Sequence, residues 1–416
     1  MIHREDEKIS IVPYFSHLTV EGFRRLRNVS IPLKRLTVMI GANGVGKTSI
    51  LDIIDLLATS ANAGLNKQIN DLSGIKAILT IDRAKELTLG LKMPVSGYDP
   101  LKYDLTIEPN GNGYSIAFEQ LIQARQPYPV PFKYIDSSYD SITYYDIEKR
   151  GFAHPNIPKN KRTNSGSLNQ GEEKPIRPTW DHNPFETSLS QVPRMYKEPE
   201  DFRKHLSSST FYHVLNVDPR APVRLPQPMR PAELPGKNGE DIVSCLFSLR
   251  ETNRDRFEMV EDTLKAAFPG FERLDFPPVA AGTLAMTWKD KNFTSPLYMH
   301  QLSEGSLRFL WLITLLQSPG LTTVTLLDEP EVSLHPELLS ILADLFREAS
   351  SRTQIIIATH SDRLINFLKP EEVLVMDLDE DGTTSAKWAD TLDIEKWLEE
   401  YSLDEIWRTG RMGGRA

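Results

Sequence analysis

LTVMIGANGVGKTSILDIIDLLA, residues Leu36–Ala58, carries three signals in one line. Leu36–Ile40 is a short apolar, partly β-branched run that reads as a buried strand. Gly41, Gly46, Lys47 and Thr48 then satisfy G-x-x-x-x-G-K-[ST], and an apolar, helix-like run follows. Strand, glycine-rich turn and helix in that order predict an α/β fold with a phosphate-binding loop. Glycines let the backbone curl so that its N–H groups face phosphate oxygens. The helix that follows points its positive end at the same anion. Lys47 is expected to reach the β- and γ-phosphates, and the Thr48 hydroxyl to ligate Mg²⁺.

Three stretches near the other end complement this loop. In TTVTLLDEPEVSLHPELL (Thr322–Leu339) an apolar run stops at two adjacent acids, Asp328 and Glu329. Carboxylates at the C-terminal end of a buried parallel strand lie where doubly wound sheets place their sites. Asp328 would bind Mg²⁺, directly or through water, and Glu329 would polarise an attacking water as general base. DEPE is also good turn chemistry, and taken alone it supports that plainer reading equally well. In LSEGSLRFLWLITLL (Leu302–Leu316), Ser303 can cap a helix, and Gly305 allows a phosphate to approach its start. In TQIIIATHSDRL (Thr353–Leu364), a strand ends at His360, which can hydrogen-bond a γ-phosphate or water, or cap the next helix.

Composition bounds what surrounds these motifs. The chain has 416 residues, 40% apolar and 25% charged, which excludes a fibrous or wholly disordered protein. At ~100–200 residues per domain, this length predicts two or three domains or one large one. The run Phe309–Leu316 falls well short of the ~20 residues of a membrane span. The opening MIHREDEKIS lacks an apolar core, so no signal peptide is expected. Cys245 is the lone cysteine and excludes an intrachain disulfide, which suits a reducing cytoplasm. A net charge of −9 argues against non-specific coating of nucleic acid but permits a local basic groove.

More than half of the 29 prolines lie between Pro127 and Pro235, together with the polar run Lys159–Pro175. That stretch reads as a loop-rich insertion with a few short elements. Before it, strand-like runs recur at Leu18–Val20, Leu87–Leu91, Tyr103–Ile107 and Tyr114–Phe118, the last two flanking the hairpin candidate Glu108–Gly113. After it, Ile242–Leu249 and Phe257–Phe268 read as helices, Val324–Leu327 and Ile355–Ala358 as buried strands. The expected organisation is an N-terminal lobe at 1–120, an insertion at 121–235, a C-terminal lobe at 236–370, and a closing strand and docking helix at 371–416. The basic groups Lys159–Arg162 and Arg220, Arg224 and Arg230 read as solvated loops sooner than as a DNA contact. Trp180–Asp181–His182–Asn183 lacks the ligands of a metal nuclease, and no acidic metal cluster follows His360. Trp397, Leu398, Ile406 and Trp407 read as an internal docking face, and Gly413–Arg415 as a loose end or a second docking element.

In order, these motifs resemble the ATP-binding-cassette ATPases, and within them the RecF/SMC-like branch. Walker A is GANGVGKT at Gly41–Thr48, the signature LSEGS at Leu302–Ser306, Walker B VTLLDE at Val324–Glu329, the D-loop SLH at Ser333–His335, and the switch histidine His360. The start LTVEGFRRLRNVSIPLKRL, with Arg24–Arg25 at a turn, is similar to the same branch. The tail WLEEYSLDEIWRTGRMGGR resembles stand-alone bacterial AAA-type ATPases without coiled coil or C-terminal nuclease domain. The resemblance implies a P-loop NTPase of ABC type: a split two-lobe head with a mixed sheet, an antiparallel β subdomain and the loop-rich insertion. It implies ATP contacts from Gly41, Ala42, Asn43, Gly44, Val45, Gly46, Lys47, Thr48 and Ser49 of one copy, and from Ser303, Glu304, Gly305 and Ser333 of a second. Thr48 and Asp328 would hold Mg²⁺, while Glu329, Lys47 and His360 would act in hydrolysis.

Two such heads would sandwich two ATP molecules and part on hydrolysis. The chain departs from true SMC proteins in lacking sustained heptads between Lys47 and Ser303. Its signature reads SEG where SGG is commoner, which puts a carboxylate near a phosphate or aims it away. Gln120, Gln123 and Gln126 are not distinguished as a Q-loop residue. The implied activity is ATP hydrolysis by an ATP-gated homodimer that controls DNA or a DNA-processing partner, in repair or anti-phage defence. A second reading is a regulatory subunit restraining a nuclease or toxin encoded nearby. A third is a transport cassette on a membrane subunit, against which the insertion and the RecF-like start both speak.

Overall fold

The computed structural model describes residues 13–125, 128–139, 141–144, 181–193, 197–392 and 401–413. The charged opening, the basic run Lys159–Arg162, Gln126, Trp180, Trp397, Leu398, Gly414 and Arg415 lie outside them. The chain forms two compact units. One takes in Met1–Tyr14, Leu33–Asp55 and Ser209–Ala416, the other Phe15–Pro32 and Leu56–Ser208.

The first unit is built on a six-stranded mixed sheet. Across it, the strands run Thr384–Trp388, Val373–Leu378, Leu36–Ile40, Gln354–Ala358, Val324–Asp328 and Thr210–Tyr212. All are parallel except Thr384–Trp388, which lies antiparallel at one edge. Leu36–Ile40 and Gln354–Ala358 are buried at every position, as expected of parallel strands covered on both faces. The expected strand runs at 36–40, 324–327 and 355–358 therefore form and lie side by side. Thr210–Tyr212 was not foreseen: it comes from the proline-rich stretch and completes the sheet beside Val324–Asp328.

Helices Ile242–Thr252, Arg254–Ala267, Glu304–Gln317 and Leu338–Ser350 share one apolar core with these strands. Glu304–Gln317 begins where Ser303 Oγ accepts the Ser306 amide at 3.1 Å. It stops at Ser318, whose extended backbone suits the following Pro319. Between these ends Phe309, Leu310, Ile313, Leu315 and Leu316 are fully enclosed, each contributing roughly 1.5–3 kcal/mol of burial. Ile406 and Trp407 join the same core from helix Leu403–Arg408, so this part of the expected docking face packs internally.

The second unit carries a six-stranded antiparallel sheet in the order Leu26–Pro32, His17–Phe23, Leu87–Val95, Tyr98–Asn110, Gly113–Arg125, Tyr128–Ser137. The hairpin expected at Glu108–Gly113 forms, with Asn110 paired to Gly113 and Gly111 at a φ of 60°. Arg24 sits at the first turn with a φ of 48°. Helix Lys197–Ser207 accommodates Pro199 in its first turn, where no intrahelical donor is lost. Fully buried Glu119 accepts the amides of Ser188 (2.5 Å) and Leu189 (2.8 Å) and the Tyr103 hydroxyl (2.8 Å). Gln120 donates to Asp104, and Gln123 to the Asp99 carbonyl, within the same sheet. Among the described residues, no helix is long and apolar enough to cross a membrane.

Candidate functional site

The parallel strands deliver the sequence motifs to one edge of the sheet. Leu36–Ile40 lies between Val373–Leu378 and Gln354–Ala358, and Gln354–Ala358 abuts Val324–Asp328. Each strand ends where its apolar run ends, so the phosphate loop, Thr359–His360 and Asp328–Glu329 emerge at neighbouring C-terminal ends. At Gly41 the backbone turns with a φ of 153°, and a Cβ there would stand 2.3 Å from the Met376 carbonyl oxygen. Gly44 and Gly46 turn with φ values of 80° and 107°, and the helix starts at Lys47. This left-handed backbone, with its amides ahead of a helix, is a cradle for an anion.

Lys47 is buried, and its Nζ donates to the carbonyls of Gly41 at 2.6 Å and Ala42 at 3.0 Å. Burial lowers this ammonium to about 8, against the opposing pull of Glu329, Asp328 and Glu331. Nζ also lies 3.3 Å from His360 Nδ1. A protonated lysine can only donate, so that nitrogen accepts and the imidazole proton sits on Nε2. Nε2 is 3.8 Å from Glu329 Oε1. Burial, then the charge of Lys47, hold His360 below the usual imidazole value, with Glu329 opposing.

Thr48 Oγ1 donates to Asp328 Oδ1 at 3.3 Å. A hydroxyl and a carboxylate converging in this way form a hard-oxygen pair that fits Mg²⁺, which takes one or two protein ligands and fills its shell with water and phosphate. Among the described residues no group of three or more His, Cys, Asp or Glu side chains could hold a metal by itself. Burial, followed by the charge of Glu329, raises the Asp328 carboxyl above its usual range. Glu329 has a φ of 47°, unusual for a residue with a Cβ, and its amide donates to the Ala358 carbonyl at 2.8 Å. That backbone bond ties the acid to the strand leading into His360, while its carboxylate stays about 40% exposed.

The second group of expected residues gathers at the start of helix Glu304–Gln317. Ser303 caps it and Glu304 is exposed in its first turn, beside the positive helix end. A Cβ on Gly305 would lie 2.7 Å from the Ser333 carbonyl oxygen. The chain's own backbone therefore requires that glycine. Ser333 turns with a φ of 63°, and its hydroxyl accepts Arg308 Nη1, whose Nε reaches the Leu215 carbonyl at 3.3 Å. The start of helix Glu304–Gln317 and the turn at Ser333 are thus locked together within one chain.

Two residues were missed. The register pairs Leu327 with Tyr212, which places His213 level with Asp328. Together with Arg308, Trp311 and Glu329 it lines a small cavity. Glu331, the third acid of DEPE, accepts the Thr359 hydroxyl. Only the doubled acid in DEPE hinted at it. Of the basic residues, Arg224 bonds the carbonyls of Val217, His300 and Leu302, and Arg230 pairs with Asp241 at 2.6 Å.

Fold and site together define an α/β protein with a phosphate-binding loop at the C-terminal edge of a mixed sheet. The chain belongs to the family described as "AAA domain, putative AbiEii toxin, Type IV TA system", which matches residues 36–366. Among solved structures it is similar to an SMC head bound to the C-winged helix domain of ScpA, with 16% identity and a TM-score of 0.51 over 94% of this chain and 99% of that one. The SMC head with an extended coiled coil bound to the C-terminal domain of ScpA, derived from Pyrococcus furiosus, is 13% identical, with a TM-score of 0.49 over 95% and 100%. The SMC head from Thermotoga maritima is 12% identical, with a TM-score of 0.42 over 90% and 98%. Curated proteins give no match.

Proposed function

We propose that the protein hydrolyses ATP to ADP and phosphate with Mg²⁺ and works as an ATP-gated homodimer. The observation that carries this reading is the convergence of Lys47, Thr48, Asp328, Glu329 and His360 at one edge of the sheet. Lys47 exchanges its carbonyl partners for phosphate oxygens, and the loop amides from Ala42 to Ser49 complete the cradle. Glu329, held at the strand end yet partly exposed, takes the proton of the attacking water. Neutral His360 offers its Nε2 hydrogen towards the same place. Thr48 and Asp328 would hold Mg²⁺, which would supply positive charge to offset that of the phosphates.

Ser303, Glu304, Gly305 and Ser333 would close on the nucleotide of a second copy, using the amides at the capped helix start. The output is then conformational, and a partner supplies further chemistry: DNA, or a DNA-processing protein such as a nuclease. The family description favours a toxin–antitoxin or defence setting, and with it the reading of a regulatory ATPase that restrains a separately encoded nuclease or toxin.

The test uses Glu329→Gln and Lys47→Ala. ATP with Mg²⁺ should double the mass of Glu329→Gln in light scattering, and Lys47→Ala should not hydrolyse ATP. A monomeric Glu329→Gln under those conditions sinks the sandwich, and normal turnover by Lys47→Ala sinks the assigned site.

A further inference from the structure

Glu331 is half-buried, its carboxyl set beside the strand end that leads to His360. Its Oε1 accepts the hydroxyl of fully buried Thr359, the residue bonded to His360. The Ser361 amide donates to Thr359 Oγ1 at 3.0 Å, which extends the chain of bonds to both sides of His360. Glu331 Oε2 is enclosed without a partner of hydrogen-bond geometry. Burying a carboxylate with an unfilled oxygen is unfavourable, and closing a turn does not require it. The same region carries the Glu329 amide bond to Ala358 at 2.8 Å. The turn after Asp328 and the segment Thr359–Ser361 are therefore laced at two points, and His360 lies between Lys47 Nζ at 3.3 Å and Glu329 Oε1 at 3.8 Å.

We propose that Glu331 is a positioning residue which, through Thr359, fixes the switch histidine between Lys47 and Glu329 and so sets the rate of hydrolysis without taking part in nucleotide binding. The inference rests on the ATPase reading and adds to it the residue that controls its switch. Acting through His360, Glu331 matters only while His360 is present. Gln at 331 keeps an oxygen for Thr359 but replaces the carboxyl by an amide, a weaker acceptor. Thr359→Val keeps the volume and loses the donor.

The experiment measures kcat, KM and nucleotide Kd for wild type, Glu331→Gln, Glu331→Ala, Thr359→Val, His360→Ala, and the His360→Ala double variants with Glu331→Gln, Glu331→Ala and Thr359→Val. Glu331→Gln and Thr359→Val should each lower kcat about tenfold and Glu331→Ala about a hundredfold, with Kd held within about twofold. In the His360→Ala background, each of these changes should cost less than about twofold more. Multiplicative losses in the double variants, an unchanged kcat in Glu331→Ala, or a Kd that weakens in step with kcat overturns the proposal. If Glu331→Ala does not fold, the Glu331→Gln and Thr359→Val pairings decide between the same two outcomes. A wild type that binds ATP without hydrolysing it overturns the ATPase reading itself, whereas an active wild type with multiplicative losses overturns this inference alone.

Discussion

Raising the pH should weaken ATP binding through Lys47 alone. Burial brings this ammonium down to about 8, so below that value it is already charged when the phosphates arrive. Above it the amine is neutral, and binding a polyanion must take up a proton because phosphate contact restores the charged form. The dissociation constant then grows as one plus ten to the power of pH minus 8, about twofold at pH 8 and about tenfold at pH 9 relative to pH 7. The assay is isothermal titration of ATP in EDTA, which suppresses turnover, at pH 7, 8 and 9. Paired buffers of different ionisation enthalpy at pH 8.5 should report uptake of about three-quarters of a proton. Lys47→Arg keeps its charge throughout and should give a flat profile. A wild-type constant within twofold between pH 7 and 9, or the same rise in Lys47→Arg, would refute the reasoning.

Asp328→Asn should raise the Mg²⁺ concentration for half-maximal hydrolysis by about tenfold or more, since Thr48 then keeps a neutral partner 3.3 Å away; unchanged Mg²⁺ dependence removes Asp328 from the metal site. Gly305→Ala places a methyl 2.7 Å from the Ser333 carbonyl, and the forced shift should cost about 1–3 kcal/mol in thermal unfolding; an unchanged Tm contradicts the tight packing of signature helix on D-loop. Glu119→Ala strands two buried amides and the Tyr103 hydroxyl, and should destabilise by about 3 kcal/mol or more, with faster hydrogen exchange at Ser188 and Leu189 as the local readout.

The motifs were legible because each is a buried strand followed at once by the residue it delivers. In IGANGVGKT, LLDEP and ATHS the apolar run stops where the sheet edge begins, and a parallel sheet aligns such edges by construction. What stayed hidden depends on pairing between distant segments. Thr210–Tyr212 is three residues long in a proline-rich stretch, too short for any period, and is a strand because Leu327 pairs with Tyr212. His213 and Glu331 were invisible for the same reason: one gains meaning from register against Asp328, the other from Thr359. Gly305 shows a different limit. Its missing Cβ was read as room for a phosphate, yet the Ser333 carbonyl of the same chain already stands in that direction. The two meanings are compatible, because the Glu304 and Gly305 amides of the first turn have no intrahelical acceptor. Their coexistence has a mechanical consequence. Gly305 and Arg308 grip Ser333 from one helix, so the turn at Ser333 and the start of that helix are mechanically coupled. Glu331 in turn ties the base of that turn to Thr359, the neighbour of the His360 that contacts Lys47.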